Sequence, residues 1–310
     1  MKVLVTGGAG FIGTNLARQL LENPQISEVR LLDDLSTGFS SNLELVPQAH
    51  FIEGSILDFG LLSTAVQGID AIVHLAARPS VPRSIAEPRA AHDVNATGTL
   101  NVLEAARQAG NLHTIVASSS SIYGANPTLP KHAGLAPQPV SPYAASKLAA
   151  ESYTLAWQHS YGLPTLAFRF FNVYGPLQAA GHAYAAAIPT FIDAALNGRP
   201  IPLHGDGTQS RDFTFVGTVA AVIARCVTER ITSPHPVNLA FGSNIALNEV
   251  IDGIGRELGR RVAIDHLPSR PGDVKHSQAD NSALMALVPG VSAVPFEHGL
   301  RTTIDWFRSR

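Results

Sequence analysis

The chain has 310 residues, of which 45% are hydrophobic and 15% charged, and its formal net charge is -2. This composition predicts a compact globular protein and excludes a largely disordered one. No basic patch or block of like charge indicates nucleic acid or a membrane as a partner. The single cysteine, Cys226, cannot form an internal disulfide, and no group of residues has metal-ligand spacing. The apolar run at the start is too short for a signal peptide, so we expect a cytoplasmic protein without a metal.

Strands and helices alternate over the first half of the chain. Short apolar runs predict strands at residues 3–5, 29–33, 50–53, 71–75, 114–117 and 165–170. Helical patterns follow the first strand and recur at residues 95–109 and 143–161. The alternation predicts an α/β fold with a doubly wound parallel sheet of the Rossmann type.

The pattern changes after residue 171, where glycine and proline become more frequent. Helical patterns remain at residues 188–196, 216–227, 247–258 and 296–308. We therefore expect two domains, residues 1–171 and a smaller α/β domain of residues 172–310. The short apolar segment at 237–240 is expected to return to the main sheet as a strand.

A glycine-rich turn links the first strand to the first helix. Gly8, Gly10 and Gly13 have the spacing Gly-x-Gly-x-x-Gly, and Asp33 ends the next strand about 20 residues later. Such glycines let backbone amides approach a pyrophosphate at a helix N-terminus, while the carboxylate accepts hydrogen bonds from ribose hydroxyls. Because Asp33 would repel a 2′-phosphate and no Arg or Lys occurs at residues 34–38, NAD is favoured over NADP.

A possible base lies on the long predicted helix. Tyr143 and Lys147 are spaced i, i+4, so their side chains share one helix face. A phenol with a pKa of about 10 is a poor base at neutral pH, but a neighbouring ammonium group lowers that pKa. This spacing alone is common on helix surfaces, and its meaning depends on the other motifs.

Five ordered motifs resemble the extended short-chain dehydrogenase/reductase family, and within it the nucleotide-sugar 4-epimerases. The motifs are the glycine turn, residues 73–77, residues 94–99, the serines before Tyr123-Gly124, and Tyr143-x-x-x-Lys147. The resemblance implies that residues 1–171 bind NAD and residues 172–310 bind a UDP-sugar. It implies cofactor contacts from Gly7, Gly10, Phe11, Ile12, Gly13, Asp33, Ser36, Gly38, Ser55, Ile56, Leu75, Ala76, Asn95, Tyr143, Lys147 and Phe170. Ser55 replaces the Asp that is usual in the family, a change that removes one acceptor for the adenine amine.

The resemblance also implies a reaction. Tyr143 would act as the base, Lys147 would lower the pKa of Tyr143 and bind ribose, and Ser119 would bind the 4-hydroxyl of the sugar. Related dehydratases carry Asp and Glu where this chain has Ser120 and Ser121. Two hydroxyls supply neither the acid nor the base that dehydration needs, so epimerisation at C4 is expected.

The substrate contacts are implied by resemblance as well. They are Ser119, Ser120, Asn172, Gln178, Ala186, Pro202, His204, Arg211, Arg270, Asp273 and Ser277. Relatives that act on UDP-glucuronate tend to have Thr at the position of Asn172, so a neutral sugar is favoured. Ser277 occupies the position of a gate beside the 2-substituent of the sugar, where a small residue admits an N-acetyl group. We therefore expect UDP-N-acetylglucosamine and UDP-N-acetylgalactosamine as substrates, with UDP-glucose and UDP-galactose as additional or alternative ones.

Other classes of protein remain open at this point. An NAD-dependent reductase or dehydrogenase would keep Tyr143 and Lys147 but would have no use for Arg211, Arg270 and Asp273. A nucleotide sensor without activity would be expected to have lost Tyr143 or Lys147, and a structural protein would leave the ordered motifs unexplained. The helices that begin near Asn95 and Tyr143 resemble those that pair in dimers of the family, so we expect a homodimer.

Overall fold

The computed structural model describes residues 1–180, 185–268 and 275–310. The strands in this part of the chain are β1 Lys2–Thr6, β2 Glu28–Asp33, β3 His50–Glu53, β4 Ala71–His74, β5 His113–Ser119, β6 Thr165–Phe170, β7 Asn172–Tyr174, β8 Ile201–His204, β9 Ser210–Arg211, β10 Phe213–Phe215, β11 Val237–Leu239, β12 Ile245–Ala246, β13 Ile264–Leu267 and β14 His276–Ser277.

The α-helices are α1 Phe11–Leu21, α2 Ser40–Leu43, α3 Phe59–Ala65, α4 Val81–Ala86, α5 Pro88–His92, α6 Gly98–Gln108, α7 Pro142–Tyr161, α8 Ala187–Leu196, α9 Val216–Thr228, α10 Leu247–Leu258, α11 Ser282–Leu287 and α12 Phe296–Arg308. A π-helical turn, Asp93–Thr97, joins α5 to α6, and a 3-10 turn, Ser120–Tyr123, follows β5. None of the helices in the described ranges is long and apolar enough to cross a membrane.

A seven-stranded parallel sheet forms the centre of the fold, in the order β3-β2-β1-β4-β5-β6-β11. This order confirms the predicted doubly wound α/β fold. Both faces of β1 are apolar, because Val3 packs in one buried cluster and Leu4 in another. The strand order reverses between β1 and β4, which places the expected ligand crevice at the carboxyl ends of these strands.

The two faces of the sheet are covered by helices from different parts of the chain. Helices α1 and α9 cover one face, where Leu16 and Val219 share a cluster with Val3. On the opposite face α3 and α6 contribute Leu62 and Val102 to the cluster of Leu4. Helix α9 and strand β11 thus belong structurally to the sheet, although both come after residue 171.

A third apolar cluster lies among α8, α10, α12 and β8. These helices have one apolar face each, and together they bury residues such as Ile192, Val250 and Leu300. Three small sheets accompany the central one: β7 pairs with β10, β8 with β13, and β9 with both β12 and β14. The division of the chain into two domains remains our prediction.

The helix predicted at residues 95–109 begins differently in the structure. The π-helical turn occupies residues 93–97, and regular α-helix begins at Gly98. Asn95 lies in this turn, is fully buried, and forms hydrogen bonds with the backbone of Arg78. These contacts connect residues far apart in the sequence, so helical periodicity could not reveal the irregular turn.

Candidate active site

A cavity of about 1090 Å³ opens where β1, β2, β4, β5 and β6 end. Pockets for one small ligand usually measure roughly 300–1,000 Å³, so this cavity is as large as the largest of them. Its lining runs from Asp33 at one side of the sheet to Arg211 on β9. Tyr143, Lys147 and Ser119 line the cavity between these residues.

The glycine turn forms one wall of the cavity, and its shape depends on the absence of side chains. Gly7 has a φ of 73°, and a Cβ there would lie 2.7 Å from the nitrogen of Ala76. A Cβ on Gly13 would lie 2.1 Å from the oxygen of Gly7. Gly10 precedes α1, where no side chain caps the helix and no acidic residue occupies the first turn. The first amides of α1 can therefore bind a diphosphate.

Asp33 lies beside this turn and is mostly buried. Its carboxylate accepts hydrogen bonds from the nitrogens of Ala9 at 3.0 Å and Leu35 at 2.9 Å. Burial raises the pKa of Asp33, and these two bonds oppose that effect. A carboxylate at the end of β2 fits the ribose hydroxyls of NAD and repels a 2′-phosphate.

Most of the predicted cofactor residues line the cavity. They are Gly7, Gly10, Phe11, Ile12, Gly13, Asp33, Ser36, Gly38, Ile56, Leu75, Ala76, Tyr143, Lys147 and Phe170. Ser55 and Asn95 are not among the lining residues. The hydroxyl of Ser55 accepts a hydrogen bond from the nitrogen of Leu57. The amide of Asn95 donates to Ser146 at 3.0 Å as well as to the Arg78 backbone, so its place is behind the cavity wall.

Tyr143 and Lys147 both face the cavity from α7, as their spacing predicts. The nitrogen Nζ of Lys147 donates to the backbone oxygen of Ala117 at 2.8 Å, and burial lowers the pKa of Lys147 to about 8. Burial raises the pKa of Tyr143, while a hydrogen bond with the Ser119 side chain opposes that rise. That Lys147 lowers the pKa of Tyr143 when cofactor and substrate are bound stays a prediction.

Ser119 is oriented by its neighbour Ser121. The oxygen Oγ of Ser119 accepts hydrogen bonds from the nitrogen of Ser121 at 3.2 Å and from its hydroxyl at 2.9 Å. These bonds occupy the acceptor positions of Ser119 and leave its own hydrogen to be donated. Ser118 also lines the cavity, and its hydroxyl donates to Glu151 at 2.7 Å. Ser120 is not among the residues that line the cavity.

The opposite end of the cavity holds most of the predicted substrate residues, namely Asn172, Gln178, Ala186, Pro202, His204 and Arg211. The oxygen Oε1 of Gln178 is buried and has no partner within the described residues, so it can accept a hydrogen bond from a ligand. Ser277 pairs with Arg211 between β14 and β9 but does not line the cavity. Arg270 and Asp273 lie outside the described residues.

The cavity wall also includes residues without an assigned role in the sequence, among them Ser80, Arg83 and Gln209. Ser80 has a φ of 93° and precedes α4. That conformation is rare outside glycine, so no sequence signal marked it. The described residues hold no group of His, Cys, Asp and Glu that could bind a metal.

Comparisons with known proteins identify the family of this chain. The model of the "NAD dependent epimerase/dehydratase family" matches residues 3–240. A UDP-glucuronate 4-epimerase of Thermodesulfobacterium geofontis is 35% identical, over 98% of this chain and 95% of the relative. The structure of a UDP-N-acetylglucosamine 4-epimerase from Methanobrevibacter ruminantium, in complex with UDP-N-acetylmuramic acid, superposes with a TM-score of 0.93 at 36% identity, covering 99% and 98% of the two chains.

A UDP-glucose 4-epimerase from Thermotoga maritima with UDP-glucose gives a TM-score of 0.92 at 30% identity, covering 100% of this chain and 99% of that one. These relatives share the whole length of the chain, and the family is named for the cofactor that the glycine turn and Asp33 fit. The chain therefore belongs to the NAD-dependent epimerase/dehydratase family.

Proposed function

We propose that the protein is a UDP-hexose 4-epimerase that inverts C4 of the sugar through a 4-keto intermediate. The observation that carries the proposal is the position of Ser119, Tyr143 and Lys147. They line the middle of one cavity whose ends hold Asp33 and Arg211. A base therefore lies between a site for NAD and a site for a nucleotide diphosphate.

The first turn of α1 would hold the pyrophosphate of NAD, and Asp33 would hold its ribose. When bound, NAD supplies a hydride acceptor at C4 that can return the hydride to the opposite face of the ring. Tyr143 accepts the proton of the 4-hydroxyl during oxidation and returns it after the keto sugar has rotated. When the sugar is bound, the single hydrogen of Ser119 would turn from Tyr143 to the oxygen on C4, where it stabilises negative charge as the proton leaves.

The far end of the cavity supports a UDP-sugar. Arg211 can bind the diphosphate with a two-pronged guanidinium group, while Pro202 and His204 provide a surface for uracil. We keep Arg270 as a second phosphate contact and Asp273 as a ribose contact, as the family resemblance implies. Ser120 and Ser121 offer no carboxyl group, which argues against dehydration of the same sugar.

An N-acetylated sugar is our first choice of substrate. Three consecutive alanines, 185–187, line the cavity opposite the sheet, and side chains this small leave room for an acetamido group. Gln178 adds a buried acceptor for the amide N–H of such a group. We therefore propose interconversion of UDP-N-acetylglucosamine and UDP-N-acetylgalactosamine, with turnover of UDP-glucose and UDP-galactose as a secondary activity.

UDP-glucuronate is the second candidate, because one observation favours it. Arg83 lines the cavity, and a guanidinium group is the side chain best suited to bind a carboxylate. The relative from Thermodesulfobacterium geofontis is named for this substrate. If the carboxylate of glucuronate is the intended ligand, Arg83→Met should reduce turnover of that sugar alone.

The test is to incubate the purified protein separately with the UDP forms of N-acetylglucosamine, glucose and glucuronic acid, and to follow the anomeric signals by NMR. We expect the N-acetylgalactosamine signal to appear fastest, without added reductant. Preferred conversion of UDP-glucuronate, lost in Arg83→Met, would replace our substrate choice. Net consumption of NADH with no epimer formed would identify a reductase and overturn the proposed function.

A further inference from the structure

A chain of buried polar groups lies directly behind the proposed reaction centre. Glu151 on α7 and Arg169 on β6 form an ion pair, with Arg169 Nη2 2.6 Å from Glu151 Oε1 and Arg169 Nε 2.9 Å from Oε2. Both side chains are only 3–4% exposed. Ser118 on β5 donates its hydroxyl to Glu151 Oε2 at 2.7 Å. We call Ser118, Glu151, Arg169 and Tyr123 the β5–α7 network.

The network continues to the far edge of the sheet. Arg169 donates from Nη1 to the Tyr123 hydroxyl at 2.9 Å, and its guanidinium carbon lies 4.8 Å from the centre of the Tyr123 ring. Tyr123 in turn donates to Asn238 on β11 at 2.6 Å. Each charged or hydroxyl group in this chain therefore has a partner, as buried polar groups require.

Such an arrangement does not arise from stability alone. Removing two charges from water is costly, and replacing a buried ion pair with apolar residues of similar size is often neutral or stabilising. The contacts of Ser118 indicate what the ion pair of Glu151 and Arg169 adds to the site.

Three residues on one face of helix α7 each contact a different residue of strand β5. Tyr143, Lys147 and Glu151 are spaced i, i+4 and i+8 on that face. Tyr143 contacts the Ser119 side chain, Lys147 binds the Ala117 oxygen, and Glu151 binds the Ser118 hydroxyl. The bond between Glu151 and Ser118 is therefore the one of these three contacts that ties the residue next to Ser119 to the helix carrying Tyr143.

We propose that the β5–α7 network is a positioning device that fixes Ser119 relative to Tyr143, with Glu151 and Arg169 as positioning residues. The proposal rests on the proposed function, since it assigns the network to proton transfer at the sugar 4-hydroxyl. Nucleotide binding depends on Arg211 and the glycine turn, which the network does not contact. Disturbing the network should lower kcat and leave the KM for the UDP-sugar and the affinity for NAD nearly unchanged.

The first variant, Ser118→Ala, removes one bond and leaves the ion pair intact. We expect kcat to fall about tenfold or more, because a displacement of about 1 Å can reduce a rate by up to 100-fold. KM should stay within about twofold. Ser118→Thr keeps the hydroxyl and should recover most of the rate. Full activity of Ser118→Ala, or an equal loss in Ser118→Ala and Ser118→Thr, would overturn the proposal.

The second variant, Glu151→Met with Arg169→Met, replaces the pair by apolar side chains of similar length. We expect it to melt at or near the temperature of the wild type while kcat falls more than tenfold. Arg225→Met with Glu229→Met, an exposed pair on α9 with a 2.8 Å contact, is the matched control and should leave kcat unchanged. A folded double variant with wild-type kcat would show that the ion pair is merely structural.

A measurement that does not depend on turnover distinguishes the positioning proposal from the proposed function. The ionisation of Tyr143 can be followed as the component of the ultraviolet titration that Tyr143→Phe removes. Ser118→Ala should shift this component, because Ser119 would no longer be held against the phenol. If the wild type epimerises no UDP-sugar but the shift occurs, the proposed function fails and the positioning remains. An unchanged titration together with wild-type kcat would remove the positioning role.

Discussion

Tyr143 has an environment that suppresses its ionisation in the protein alone. Burial raises the pKa of its phenol, and Ser119 is the hydrogen-bonding group that favours the charged form. We predict that Tyr143→Phe reduces kcat by about 10²–10⁴, the usual contribution of a general base, while the UDP-sugar and NAD still bind. Stopped assays with each UDP-sugar, together with calorimetric titration of UDP, provide the measurement. Activity within tenfold of the wild type would exclude Tyr143 as the base.

Asp33 gives a prediction about pH. Its raised pKa means that the carboxyl takes up a proton at a higher pH than an ordinary Asp, whose pKa is 3.8. The carboxylate accepts bonds from ribose, so NAD affinity should be highest above the raised pKa and should fall as the pH drops through it. Titration of the cofactor-free protein with NAD, from neutral pH down to the lowest pH at which the protein stays folded, tests this.

Asp33→Asn is the control for that titration. It removes the titrating group, so its NAD affinity should be weaker at neutral pH and nearly independent of pH over the same range. A wild-type pH slope that persists in Asp33→Asn would assign the effect to another group. Calorimetry at each pH, with heats corrected for buffer ionisation, distinguishes the two cases.

Single residues differ in how well the sequence predicts them. Asp33 and Tyr143 occur in local motifs, and both line the cavity. Asn95 occurs in a motif too, but its amide is held by Arg78 and Ser146, which only the folded chain brings together. The pKa of Tyr143 was predicted from one neighbouring charge, whereas desolvation by the surrounding protein determines its direction.

At the scale of elements, the turn between β1 and α1 depends on Gly13 more than on Gly10. A Cβ on Gly13 would lie 2.1 Å from the oxygen of Gly7, and backbone atoms cannot move aside cheaply. A Cβ on Gly10 would lie 3.2 Å from the same oxygen. We predict that Gly13→Ala lowers the free energy of unfolding by about 2–3 kcal/mol and Gly10→Ala by less than about 1 kcal/mol.

Urea unfolding of the cofactor-free proteins measures this difference. Cofactor must be absent because a methyl group on Gly10 would also block a bound diphosphate. Equal destabilisation by the two substitutions would show that the close approach of Gly13 to Gly7 does not limit the turn. Loss of NAD binding in both variants is expected and does not bear on stability.

Elements with strong local patterns were predicted well. Helix α10 and strand β6 have the predicted limits, because apolar periodicity and flanking turn residues mark both. Helix α9 was predicted as a helix, but its position on the central sheet was not, since the pattern of an amphipathic helix does not state which surface it covers. The π-helical turn around Asn95 was missed for a similar reason.

At the scale of the whole molecule, helix α7 carries an aromatic row on its outer side. Tyr153, Trp157 and Tyr161 follow at intervals of four residues, with ring centres 5.8 Å and 5.3 Å apart. Tyr153 is 37% and Tyr161 49% exposed, so the two tyrosines at the ends of the row present aromatic surface to solvent. We predict that this face joins two copies of the chain in a homodimer.

Light scattering after gel filtration tests the prediction. The wild type should elute with twice the mass of one chain, and Tyr153→Glu with Tyr161→Glu should elute as a monomer, because charge at a dimer core is poorly tolerated. Ile264→Glu, at an apolar residue 39% exposed on β13, is the control and should remain dimeric. A monomeric wild type would contradict the prediction.

The late position of strand β11 in the sequence affects how the sheet forms during synthesis. It pairs Val237 with Phe168 and Leu239 with Phe170, and α9 covers the sheet just before it. During synthesis, the first six strands of the sheet therefore leave the ribosome long before the segment that covers their face and closes their edge. Until about residue 240 has emerged, β6 presents an open strand edge to other chains. Expression at lower temperature or with a chaperone should accordingly raise the yield of this protein more than sequence changes at its surface.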